Sequence, residues 1–117
     1  VNFAAQTHVD KSIDFPRDFV QNNILGTFNL LEVIRKKNLN PIFIQISTDE
    51  VFGSLSKTEK SFNENSTIKP NSPYSASKAS ADHLVMSYNK TFNLIPSCDN
   101  ALTINSADST KPSPGNT

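Results

Sequence analysis

A chain of 117 residues with 11 basic and 11 acidic side chains holds one domain at most, carries no net formal charge, and has no basic run suited to nucleic acid. No apolar stretch approaches the roughly 18 residues that a membrane span needs, and the single cysteine, Cys98, cannot form an internal disulfide, which fits a reducing, cytoplasmic setting. Hydrophobic content is 36%, below the roughly 45% usual for globular domains, with the shortfall toward the C-terminal end. The chain opens on Val1-Asn2-Phe3 without an initiator methionine or a basic leader, and reads as though it starts inside a larger sequence.

Val1 to Ala5 has the character of the end of a buried strand. Gln6 to Asp10 follows as a polar loop, and small residues at a strand's carboxyl end let a ligand approach the backbone. Pro16 suits the first turn of a helix, with Asp14 as a candidate cap. The apolar positions Val20, Ile24, Phe28, Leu31 and Ile34, widened by Leu30 and Val33, then describe an amphipathic helix of about five turns. Arg35, Lys36 and Lys37 complement its dipole. Pro41 to Ile46 is a short apolar run rich in β-branched residues, the pattern of a parallel strand buried on both faces. Strand, helix and strand make a βαβ unit with a right-handed crossover. Ligands in such sheets sit beyond the carboxyl ends of the strands, which points to Ala5 to His8 and to Ser47-Thr48-Asp49-Glu50.

Hydroxyls followed by adjacent carboxylates are expensive to place at the end of a buried strand unless a site uses them. A helix cap or turn is the competing reading. Because Val51-Phe52-Gly53 continues an apolar segment instead of opening a helical period, the site reading is preferred. Gly53 to Asn71 is a long polar connection expected to lie over that site. Ser72 as N-cap and Pro73 at the first helical position then begin a helix ending near Asn89 to Asn93, with Ala76, Ala79, Ala81, Leu84, Val85 and Tyr88 toward the core. On it Tyr74 and Lys78 stand four residues apart and share a face. A cation near a phenol favours phenolate, giving a proton donor and acceptor for alcohol and ketone chemistry. Any helix can carry this pair by chance, so it gains meaning only beside Thr48, Asp49 and Glu50.

Taken together, Ser47 to Gly53 and Asn71 to His83 resemble the nucleotide-sugar 4,6-dehydratases of the extended short-chain dehydrogenase/reductase superfamily, nearest to those acting on dTDP-glucose. Phe3 to Asp10 and Asn23 to Thr27 match the same pattern, and the resemblance runs from Val1 to about Leu94. It implies an α/β fold: a partial Rossmann-type doubly wound parallel sheet with flanking helices over residues 1–94, lacking the N-terminal βαβ units. It also implies a lyase that uses NAD. Tyr74, beside Lys78, would take the sugar 4-hydroxyl proton, Glu50 would remove the C5 proton, and Asp49 would protonate the departing 6-hydroxyl. Thr48 would hold the 4-hydroxyl. Phe3, Ala4, Ala5, Gln6, Thr7, Asn22, Tyr74 and Lys78 match cofactor-lining positions, and Thr7 also faces the sugar. Asn22 departs from the threonine common in that slot. No metal centre is implied, and His8 and His83 receive structural roles.

Other departures limit the resemblance. A glycine-rich strand-to-helix turn, which would put a helix N-terminus on a pyrophosphate, is missing, as is a ribose-binding acid after it. Ile95 to Asn100 echoes the next strand of the family only faintly, and residues 95–117 read as a divergent, disordered tail. The readings are a catalytic-core segment, inactive by itself; an inactive remnant or interaction fragment; and part of an epimerase or reductase of the same superfamily. The helices beginning at Pro16 and carrying Tyr74 form a homodimer contact in the family. An incomplete parallel sheet leaves an open edge, so aggregation is expected.

Overall fold

The computed structural model describes residues 1–39, 41–63, 65–93 and Leu102–Asn105. Its strands run parallel. Strand β1 (Ile44–Ser47) pairs with β2 (Leu102–Asn105), Ile46 standing opposite Ile104. On the other side of β1, Asn2 forms a parallel bridge to Gln45: its N–H donates to the Ile44 carbonyl at 2.8 Å, and its carbonyl accepts from the Ile46 N–H at 3.1 Å. Helices α1 (Val9–Asp14), α2 (Pro16–Phe19), α3 (Gly26–Lys36) and α4 (Pro73–Phe92) complete an α/β arrangement.

Alternation along a strand sends successive side chains to opposite faces. Phe43, Gln45 and Ser47 are buried, whereas Ile44 and Ile46 are half-buried and Ile42 is 71% exposed. Phe43 joins Leu31 and Ile34 of α3 and Val85 and Tyr88 of α4 in the apolar core. The Tyr88 hydroxyl donates to Glu32 at 2.5 Å and ties the same two helices together. The strand expected to be buried on both faces is therefore covered on one, because no described element packs over Ile42.

Between α2 and α3 the chain stays helical through a π-helical segment, Val20–Leu25. Phe19, Asn23, Thr27 and Leu31 are buried at intervals of four, followed by Ile34. An α-helix advances about 3.6 residues per turn, so a four-residue spacing drifts around it; the wider π turn keeps these positions on one face. The apolar stripe read from the sequence is corrected accordingly. Leu31 and Ile34 are buried, but Val20, Phe28, Leu30 and Val33 lie outside. Polar Asn23 and Thr27 replace them because both find hydrogen-bond partners, the Thr27 hydroxyl donating to the Asn23 carbonyl at 2.8 Å.

Three further expectations change. Val1 to Ala5 is not a buried strand: of these residues only Asn2 is buried, its amide donating to Gln45 Oε1 at 2.8 Å. Asp14 does not cap the helix at Pro16; Phe15 occupies the cap position without a side-chain bond. Leu102–Asn105 falls in the stretch expected to be disordered, yet its backbone pairs with the edge of β1, satisfying peptide groups that burial would otherwise penalise. The remainder of 95–117, including Cys98 and the stretch compared with a further strand, lies outside the described residues.

Candidate active site

Just past β1 the backbone stays extended at Thr48 (φ −144°, ψ 150°) and then tightens into a 3₁₀ turn, Asp49–Phe52. Thr48 caps that turn, its Oγ1 accepting the Glu50 N–H at 3.3 Å and lying 3.4 Å from Asp49 Oδ1. The cap reading that the sequence disfavoured is thus realised, and the same cap presents both carboxylates at the sheet's edge. Gly53 ends the turn with φ 97°, and a Cβ there would come within 2.7 Å of the Lys69 carbonyl oxygen. The Lys69 N–H donates to the Val51 carbonyl at 2.9 Å, and Asn71 reaches Ser54 at 3.1 Å. The long connection therefore returns to the turn it left.

Helix α4 starts with a reciprocal cap: Ser72 Oγ accepts the Ser75 N–H at 3.1 Å and Ser75 Oγ accepts the Ser72 N–H at 3.0 Å, with Pro73 at the first helical position. This places Tyr74 edge-on to the buried Phe19 ring, 6.0 Å between centroids. Burial pushes the Tyr74 phenol above its ordinary value, Glu50 and Asp49 add to that, and the Thr48 hydroxyl pulls back. The expected drop toward phenolate is not what this arrangement produces. Lys78 is turned to the strand instead, its Nζ donating to the Ile46 carbonyl at 2.8 Å, and burial lowers its own pKa while Asp82 opposes the fall. Glu50 moves upward, first from burial and then from Asp49, and a carboxylate with a raised pKa is a stronger base.

The loop after Asn2 is held by a residue that the sequence reading left without a role. Asn23 Oδ1 accepts the Gln6 N–H at 2.7 Å, while Asn23 Nδ2 lies 3.1 Å from the Gln6 carbonyl and 2.9 Å from Ser77 Oγ. Ser77 in turn donates to the Tyr74 carbonyl at 2.7 Å. One carboxamide thus joins the loop to the helix that carries Tyr74. Its neighbour Asn22 is exposed and donates to the Asp18 carbonyl at 2.7 Å, within its own helix. The clue in the sequence was the spacing of Asn23 between Phe19 and Thr27.

Thr48, Asp49, Glu50, Tyr74 and Lys78 are thus brought together at the carboxyl end of β1, with Gln6 tethered nearby. Phe3, Ala4 and Thr7 are exposed, and Ala5 is half-buried. His8 is exposed at the start of α1 and His83 is exposed on α4. Among the described residues no group of three or more His, Cys, Asp and Glu could hold a metal ion, and no helix is long and apolar enough to cross a membrane.

Comparison with known proteins finds relatives over most of the chain. The model of the GDP-mannose 4,6 dehydratase family matches residues 1–112, further than the resemblance read from the sequence. A dTDP-glucose 4,6-dehydratase of Xanthomonas campestris pv. campestris (strain B100) is 48% identical over 102 residues, covering 80% of this chain and 29% of the relative. The Haemophilus influenzae protein of the same name is 47% identical, covering 80% and 30%. Among solved structures, DesIV, a dTDP-glucose 4,6-dehydratase from Streptomyces venezuelae with NAD bound, superposes with a TM-score of 0.74 at 39% identity, covering 80% of this chain and 28% of that one. A UDP-glucose 4-epimerase from Brucella ovis in complex with NAD gives 0.71 at 27% identity, covering 79% and 27%. The chain spans about 30% of the length of the curated relatives it matches. With the family pattern running through the loop, the capped turn and the Tyr74 helix, the chain belongs to the GDP-mannose 4,6 dehydratase family.

Proposed function

We propose that the chain carries the catalytic core of an NAD-dependent nucleotide-sugar 4,6-dehydratase acting on dTDP-glucose in the cytoplasm. Residues 1–94 are read as part of a doubly wound Rossmann-type domain. The observation that carries the proposal is the meeting of Thr48, Asp49 and Glu50 from the turn after β1 with Tyr74 from α4, and Lys78 one helical turn further on. Bound NAD supplies a hydride acceptor and, on its oxidised ring, a positive charge. Phe3 to Thr7, Asn22, Tyr74 and Lys78 are the residues assigned to hold it. Thr48 holds the sugar 4-hydroxyl, with Thr7 beside the sugar. Tyr74 takes the 4-hydroxyl proton; its phenol is raised by burial and then by Glu50 and Asp49, and positive charge beside it favours the form that accepts a proton. Glu50 takes the C5 proton, and Asp49 protonates the leaving 6-hydroxyl.

The test grafts residues 1–112 in place of the corresponding segment of the Xanthomonas campestris relative and supplies dTDP-glucose. The expected product is the 4-keto-6-deoxy sugar, and Glu50→Gln lowers kcat by about 10² to 10⁴ with NAD still bound. Release of the 4-epimer alone would support the epimerase reading. A folded, NAD-loaded graft without turnover would identify an inactive remnant. Exposed Phe28, Leu30 and Val33 on α3 and Met86 on α4 support a second element of the reading, pairing of these helices with those of a second copy.

A further inference from the structure

Asp82 is one helical turn beyond Lys78 on α4 and only 3% exposed. The two residues meet consecutive positions of β1: the Lys78 ammonium donates to the Ile46 carbonyl, and the Ser47 hydroxyl donates to Asp82 Oδ2. Asp82 Oδ1 has no hydrogen-bond partner among the described residues. A buried carboxylate with an unmatched oxygen is costly unless a charge nearby makes use of it. The groups that act on it are Ser47 from β1 and Lys78 and His83 from α4 itself.

We propose that Asp82 is a positioning residue: anchored by Ser47 one helical turn beyond Lys78, its buried carboxylate supplies negative charge that favours the ammonium form of Lys78 at the end of β1. The physical basis is simple. Burial strips water from Lys78 and drives its pKa down, and the Asp82 carboxylate on the same side of the helix opposes that fall. A neutral amine at Lys78 still bonds to Ile46 but offers no charge to a phenol or a ribose. Burial also raises Asp82 itself, to about 6, so the carboxylate is ionised at neutral pH and lost in mild acid. The rest of α4 carries the same logic, since Lys78 and Asp82 share the face that Ser77 and Ala81 border. The function proposed above says what Lys78 is used for; the electrostatic link itself holds with no substrate present.

Competitive labelling of lysine amines across a pH series, read by mass spectrometry on the dilute 117-residue chain, tests it. Lys57 and Lys60 serve as exposed internal references. In Asp82→Asn the pH midpoint for Lys78 labelling moves downward, and Asp82→Glu returns it toward wild type. A structural role alone raises the Lys78 rate at every pH and leaves the midpoint in place, and that result overturns the proposal. Where Asp82→Asn loses its cooperative melt, the wild-type chain carries the test. The ¹³Cε resonance of Lys78 then shows a step near the Asp82 titration at about 6, and a flat trace through that range rejects the link. Neither readout requires turnover, so failure here is separate from failure of the dehydratase reading.

Discussion

Asp82 leaves a second trace at the scale of a single residue. Its carboxyl titrates at about 6 in the folded chain against an ordinary 3.8, chiefly through burial. A carboxyl raised by folding makes the native state bind more protons than the unfolded state between those values, so stability falls as pH rises through them and is level above. The difference corresponds to about 3 kcal/mol. Denaturant midpoints of wild type should therefore decline between about pH 4 and pH 6, while Asp82→Asn should lack that decline. An equal slope in the variant would assign it to another group. The sequence singled out Tyr74, Lys78, Thr48, Asp49 and Glu50 because their residue types and spacing imply chemistry. It passed over Asn23 and Asp82, whose importance comes from partners 17, 54 and 35 positions away. Such partners are set by packing and leave no local period to read.

Among the elements, α4 was the most legible. Ser72, Pro73 and the spaced alanines announced its start and its buried face, and the helix runs Pro73–Phe92 with Asn93 closing it in a left-handed conformation. Its cap is local chemistry, which is why sequence alone reveals it. Ser72→Ala removes a bond to the Ser75 N–H and should cost about 1 kcal/mol in urea denaturation. No measurable loss would mean that packing of α4 onto β1 fixes the helix start by itself. The helix before β1 was harder. Its π-helical segment at Val20–Leu25 moves the buried face onto Asn23 and Thr27, and polar residues on an inner face run against any hydrophobic count. The turn at Asp49–Phe52 misled in the opposite sense. Val51 is buried within a short helical turn, where an apolar run reads as strand.

Across the whole molecule, one side of the sheet and the outer faces of α3 and α4 leave apolar side chains in water. Ile42 and Phe3 are exposed at the sheet, and Phe28, Leu30, Val33 and Met86 on the helices. Apolar surface of this extent drives association. The chain is expected to self-associate with rising concentration in light scattering, and Val33→Glu together with Ile42→Lys should reduce it. A single monomeric species up to high concentration in wild type would contradict the expectation.

What the sequence determined by itself follows from local chemistry: the α/β alternation, the start of α4, and the residue types gathered after β1. Tertiary structure alone decided which of them touch. It turned Lys78 to the Ile46 carbonyl, placed Tyr74 where burial and then Glu50 raise its phenol, set Asn23 between Gln6 and Ser77, and buried Asp82 against Ser47. The reason is that a side chain's charge and hydrogen bonds depend on its burial and on the groups around it, and those surroundings come from segments far apart in the chain.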